Sequence, residues 1–138
     1  MVHGGTYNAQ PIAMAATVAT LQQLTPALYA EIAKRGNRMI EGFRKVFARQ
    51  GVVAQVNGDP QVFHVALGLT EPAQSYRDLA RMNRQGYVAL TTALLRRGVR
   101  ALERGAWFMS VTHDDGVVDD TLAALSDAVR ELKAAGTL

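Results

Sequence analysis

The order of hydrophobic periods along these 138 residues predicts an α+β fold, with helices covering a small, mainly antiparallel sheet. Three observations lead there. Apolar residues recur at helical spacing up to Gly51, and short β-branched runs with strong turn signals then take over. Helical spacing returns at the end of the chain. A hydrophobic content of 49% over one domain's length is enough to bury roughly two thirds of the unfolded surface. No internal repeat, low-complexity tract or linker interrupts it, so one compact unit is expected.

A first helix is predicted over 10–24, with Asn8 as candidate cap and Pro11 tolerated in the first turn. Its surface is almost all Ala, Thr, Met and Val, which suits burial between other elements better than contact with water. The second helix has Thr25 as cap and Pro26 at its first position, and Leu28, Ile32, Met39, Phe43, Val46 and Phe47 form its stripe until Gly51 stops it. A hairpin follows, strand 52–56 and strand 61–67, joined by the turn Asn57-Gly58-Asp59-Pro60 and alternating Phe63, Val65 and Leu67 on one face. A third helix is expected over 76–97. Two short strands fit 99–103 and 107–112, split by Arg104-Gly105. The last helix starts after the acidic pair Asp114-Asp115, with Val118, Leu122, Leu125, Val129 and Leu132 as its stripe. Asp119 and Asp120 sit near its positive end, Arg130 and Lys133 near its negative end, and Gly136 closes it.

Composition excludes several classes of function. Without cysteine there are no disulfides, thiolate metal sites or cysteine nucleophiles. No apolar run approaches the roughly 18 residues of a membrane span, and the N-terminus lacks the order of a signal peptide, so a cytoplasmic protein without a membrane partner is expected. The net charge is +3, and of the 15 basic residues only Lys34, Lys45 and Lys133 are lysines. Arg77, Arg81 and Arg84 recur at helical spacing, a solvated or partner-facing surface. Asp78 dilutes that field and no aromatic residues interleave, which argues against nucleic acid. His3, His64 and His113 are too far apart for a local metal motif; His113, just before the last helix, suits a turn-stabilising role.

The richest stretch is His3-Gly4-Gly5-Thr6-Tyr7-Asn8-Ala9-Gln10-Pro11. Adjacent glycines let a ligand approach the backbone, a hydroxyl sits beside them, and the following helix points N–H groups the same way, which together have the chemistry of an anion cradle for a phosphate. On the glycines alone, a plain turn before a helix is the better explanation of the string. Arg104, beside a glycine and an aromatic residue, is a candidate for two-pronged binding of a substrate carboxylate; an ordinary arginine in a tight turn is the other reading.

The string resembles the "Gly-Gly-Thr-aromatic-x-x-x-Pro" signature of class III pyridoxal-phosphate aminotransferases, the branch that contains glutamate-1-semialdehyde 2,1-aminomutase. A second match lies near the end, where Gly98-Val99, Ser110-Val111-Thr112-His113 and Asp119-Asp120-Thr121-Leu122 resemble the family's "Gly-Val … Ser-x-x-His … Asp-x-Thr-Leu" stretch. The resemblance spans nearly the whole chain and implies about the last third of a fold type I enzyme. Residues 1–24 would end the large cofactor domain, and 25–138 would form a connecting helix and the small C-terminal domain.

In that family a lysine before the Gly-Gly-Thr turn holds pyridoxal phosphate as a Schiff base and an upstream aspartate pairs with its ring nitrogen. All three lysines here follow the turn, so the isolated chain is expected to be inactive, with no catalytic residue of its own and no metal. The resemblance implies that Gly5 and Thr6 donate to the cofactor phosphate of the neighbouring subunit of a homodimer, with a small amino donor or acceptor as substrate. Leu102-Glu103-Arg104-Gly105 departs from the aminomutase pattern, which favours a related transaminase. A binding or dimerisation module without cofactor is the alternative.

Overall fold

A computed structural model describes residues 4–138, so His3 lies outside the described residues. The chain clusters into two compact units, the first ending at Glu31 and the second comprising Ile32–Leu138. The order of elements is α1 (Pro11–Gln23), α2 (Pro26–Arg49), β1 (Ala54–Asp59), β2 (Val62–Leu67), α3 (Tyr76–Leu79), α4 (Arg84–Leu95), β3 (Ala106–Phe108) and α5 (Asp115–Ala134).

In the first unit α1 carries no buried residue, and Ile12, Met14, Val18 and Leu21 all face solvent. Its cap is Gln10, whose side-chain Oε1 accepts from the Ala13 N–H at 2.8 Å, in place of the expected Asn8. Asn8 is held one turn earlier, its N–H donating to the Gly5 carbonyl at 3.1 Å. Thr25 caps α2 as expected, its hydroxyl accepting from the Leu28 N–H at 3.3 Å.

The second unit is built on an antiparallel sheet of order β1-β2-β3, so the α+β expectation holds. Val56, Phe63, Val65 and Leu67 meet Met39, Ile40, Phe43 and Phe47 of α2, Tyr87, Leu90 and Leu94 of α4, and Val118, Leu125 and Val129 of α5 in one buried cluster. Each large apolar side chain so buried contributes about 1.5–3 kcal/mol. Phe43 lies at its centre, its ring edge-on to Phe63 at 5.7 Å and Trp107 at 4.8 Å. Around this core Arg38 of α2 pairs with Asp115 and Asp119 in the first turns of α5. Glu131 accepts from Arg96 at 2.5 Å and Arg97 at 2.6 Å, joining α5 to the end of α4. Those guanidinium hydrogen bonds, Arg97's foremost, hold the Glu131 carboxyl below its ordinary pKa.

Several local expectations gave way to tertiary contacts. The third helix is two helices. Asp78 folds back onto Ser75, accepting from its hydroxyl at 3.0 Å and its N–H at 2.9 Å, which caps the start of α3, a helix of one turn. Asn83 then starts α4, its side chain accepting from the Gly86 N–H at 2.8 Å while its own N–H donates to the Leu67 carbonyl at the same distance. Arg77, Arg81 and Arg84 therefore do not share one helical face: the first is in α3, the second in the intervening turn, the third at the start of α4. The hairpin turns on Pro60 and Gln61, with Asn57, Gly58 and Asp59 paired inside β1. Proline's fixed φ suits the first loop position, and Gly58 stays in the ladder at φ 133°.

Residues 99–103 form no strand. The last turn of α4 closes with the Val99 N–H on the Leu94 carbonyl, and the edge of β2 is met by the 104–105 turn. Gly105 adopts φ 92°, and an added Cβ would lie 2.4 Å from His64 Nε2 and 2.7 Å from the Val65 carbonyl, so only glycine fits. The final strand is confined to Ala106–Phe108. The last helix begins at Asp115, inside the acidic pair it was expected to follow, because Asp114 caps it; its apolar stripe and closing glycine are as expected. Asp114 accepts from the Val117 N–H at 2.9 Å, and the Gly136 and Thr137 N–H groups close the far end on the Lys133 and Leu132 carbonyls.

Candidate functional site

The Gly-Gly-Thr turn belongs to the first unit. Gly4, Gly5 and Thr6 are exposed, and nothing lies within 4 Å of where a Cβ on Gly4 would stand; at Gly5 the nearest atom is Asn8 Oδ1 at 3.1 Å. Two linked turns follow, the Asn8 N–H on the Gly5 carbonyl and the Gln10 N–H on the Tyr7 carbonyl at 3.2 Å. Between them Ala9 has φ 58°, the one described non-glycine residue in the left-handed region. That conformation costs an alanine on the order of 1 kcal/mol or more, strain of a kind that gathers at ligand sites. An anion can approach the backbone on the Gly4 side. Part of the α1 terminus is already satisfied, because Gln10 takes the Ala13 N–H with its side chain and the Met14 N–H with its carbonyl. The donors for a phosphate are thus those of the turn and the Thr6 hydroxyl, more than the helix end.

The turn thus presents exposed backbone and the Thr6 hydroxyl, with no lysine in it. The lysines all belong to the second unit. Lys45 pairs with Glu41 at 3.8 Å, Lys133 donates to the Gln50 carbonyl, and Lys34 is exposed on α2.

Arg104 lies in the turn before β3, its carbonyl 2.9 Å from His64 Nε2. Its exposed side chain lines two clefts. One, of about 700 Å³, also takes in Thr91, Thr92, Leu95 and Arg100; the other, of about 610 Å³, takes in His64, Tyr76, Arg84 and Glu103. Among the described residues Arg84, Arg100, Glu103 and Arg104 have no side-chain hydrogen bond or ion pair. The guanidinium forks of Arg84, Arg100 and Arg104 are open to an incoming anion.

The three histidines do not converge. His64 holds the Arg104 turn, and His113 accepts at Nδ1 from the Ser110 N–H at 2.9 Å while its own N–H returns to the Ser110 carbonyl at 3.1 Å, the turn-stabilising role expected of it. Among the described residues no group of three His, Cys, Asp or Glu side chains is placed to hold a metal. No described helix is long and apolar enough to cross a membrane.

One polar contact went unread in the sequence. The Trp107 indole N–H donates to the Tyr87 hydroxyl at 2.9 Å across the core, and burial pushes the Tyr87 phenol up to about 12 against the opposing pull of that hydrogen bond. The two residues lie 20 positions apart, and no local pattern links them.

No family model matches the chain. Its sequence is 30% identical over 132 residues to a glutamate-1-semialdehyde 2,1-aminomutase of Bacillus thuringiensis and 32% identical over 133 residues to the one of Ignicoccus hospitalis. Those alignments take in 94% and 93% of this chain, which spans about 30% of the length of these curated relatives. Its fold superposes with a TM-score of 0.84 and 26% identity on a β-phenylalanine aminotransferase from Variovorax paradoxus, over 97% of this chain and 31% of that one. Along almost its whole length, then, the chain matches in sequence and fold one portion of the pyridoxal-phosphate aminotransferases and aminomutases.

Proposed function

We propose that this chain supplies the phosphate end of the cofactor site and the small domain of a class III pyridoxal-phosphate aminotransferase or aminomutase acting on an amino acid or amino ketone. The observation that carries this reading is the match, in sequence and fold together, to about three tenths of such enzymes over more than nine tenths of this chain. The exposed Gly4-Gly5-Thr6 turn and the strained Ala9 behind it support it. Residues 1–24 would complete a large domain, and 25–138 would form the connecting helix and small domain of a cytoplasmic homodimer.

When bound, pyridoxal phosphate supplies the electron sink for bond breaking at the carbon that bears the amino group. The Thr6 hydroxyl and the N–H groups of Gly5 and Thr6 would hold its phosphate, from the neighbouring subunit, by charge-assisted hydrogen bonds. Arg104 would take the substrate carboxylate on its fork and so orient the reacting carbon. Lys34, Lys45 and Lys133 all follow the turn, so these residues on their own would not hold the cofactor's aldehyde and would be inactive.

The test is the phosphate cradle. In the chain reconstituted with a lysine-bearing large domain, Thr6→Ala removes a hydrogen bond to a charged group, about 1.5 to 3 kcal/mol, or roughly tenfold to hundredfold in cofactor affinity. Titration of the apo form with pyridoxal phosphate reads it, and unchanged affinity would remove Thr6 from the site. One observation favours a second reading, an association module without cofactor: α1 is apolar and has no buried residue. A homodimer of the chain alone that takes up no pyridoxal phosphate would support it.

A further inference from the structure

One cavity of the second unit takes no part in the proposed site. It holds about 340 Å³ between α2, α5, β3 and the 98–102 segment, and its lining runs from Met39 and Thr121, 3% and 6% exposed, out to Arg100 at the surface. It therefore leads inward from solvent, at a size that suits a small ligand. Thr121 is buried, yet among the described residues its hydroxyl has no hydrogen-bond partner, and the oxygen is not sealed from solvent. A buried hydroxyl left unpaired is costly, so this one points to an occupant beside it. His113 accepts from the Ser110 N–H at Nδ1, 2.9 Å away, so its neutral ring carries the proton on Nε2, and that N–H also lacks a partner among the described residues. The rest of the wall is mostly apolar. Met39 and Met109 bring thioether sulfurs, which favour aromatic rings, while the Trp107 indole is fixed by its hydrogen bond to Tyr87 and lies within 8° of parallel to Phe63. A rigid wall favours a flat, rigid occupant.

We propose that this cavity binds a small neutral phenol, its ring against Met39, Met109 and Trp107 and its hydroxyl on Thr121 and His113. A phenolic oxygen donates to Thr121 Oγ1 while it accepts from His113 Nε2–H, so one group answers both orphans. Charged ligands fit less well. An ammonium would meet Arg100 at the mouth and find no carboxylate in the lining, and a carboxylate would have to shed its water to reach Thr121. The inference is independent of the cofactor reading, because Gly5, Thr6 and Arg104 line no part of this cavity.

A matched set of probes tests it on the chain itself: phenol, benzene, which lacks the hydroxyl, and cyclohexanol, which lacks the flat ring. Followed by amide chemical shifts and by the indole N–H signal of Trp107, the one tryptophan, phenol should saturate with changes centred on residues 98–102, 106–109 and 113–121. The other two should bind at least about fivefold more weakly. Thr121→Val keeps the shape of the side chain and removes its hydroxyl, so phenol affinity should fall at least about threefold while benzene affinity does not fall. Should that variant fail to fold, the ranking of the three probes on the native chain decides alone. Equal binding of the three, no saturation, shifts centred elsewhere, or unchanged phenol binding in a folded Thr121→Val chain would overturn the proposal.

Discussion

At the scale of single residues, Tyr87 shows how one buried hydroxyl ties stability to pH. Its phenol is fully buried and accepts from Trp107, and burial raises its pKa from 10.0 to about 12. A raised folded-state value means that the native state holds the proton more tightly than the unfolded chain. The contribution is complete below pH 10 and is lost as the pH rises from about 10 to 12, a difference of about 2 to 3 kcal/mol. Tyr87→Phe should cost about 1 to 3 kcal/mol at neutral pH, because it leaves the Trp107 N–H buried without an acceptor. It should also flatten the loss of stability between pH 10 and 12. Urea unfolding at pH 8 and pH 11.5 checks both, and an equal alkaline loss in the variant would place the titrating group elsewhere.

Among the elements, α2 and the hairpin depend on close approach. Gly36 presses against the β1–β2 turn so tightly that an added Cβ would stand 2.0 Å from the Pro60 carbonyl oxygen. The obstacle is backbone, which cannot rotate aside, so Gly36→Ala must move the helix or the turn. It should destabilise the second unit by about 1 to 3 kcal/mol despite alanine's better helix propensity. Thermal unfolding of the variant reads the balance. An unchanged or higher midpoint would mean that the helix does not rest on the turn. Gly42, which would meet the Leu122 side chain, repeats the pattern where α2 crosses α5.

For the molecule as a whole, the imbalance lies in α1. A 13-residue helix whose Ile12, Val18 and Leu21 are 76%, 54% and 61% exposed has the composition of an interior element and the exposure of a surface one. The chain alone should therefore self-associate or bind a hydrophobic dye. Replacing Ile12, Val18 and Leu21 with glutamine together should abolish either behaviour and leave the second unit's unfolding midpoint unchanged. Light scattering that found a strict, dye-silent monomer of the native sequence would show that this surface is tolerated in water.

Local chemistry was enough to read α2, α5 and the inward face of β2, because Thr25-Pro26, Asp114 and Gly136 mark ends while Phe43, Val65 and Leu125 keep an unbroken period. The Gly4-Gly5-Thr6 turn was legible for a related reason: contiguous residues form it, so its shape is set by its own backbone. What depended on distant partners was not. The break between α3 and α4 follows from Asn83 bonding to Leu67, the missing strand from the 104–105 turn seated on His64 and Val65, and the hydroxyl–indole contact from Tyr87 and Trp107 meeting across the core. Such pairings gain their free energy only once the sheet has closed and water has left, so composition and period carry no trace of them. The sequence by itself determined the class of fold, the start of α2 and both ends of α5, and the glycine-rich turn before α1. The tertiary structure alone decided which charges found partners, leaving Arg84, Arg100, Glu103 and Arg104 open around two clefts, because an ion pair is set by where separate elements come to rest.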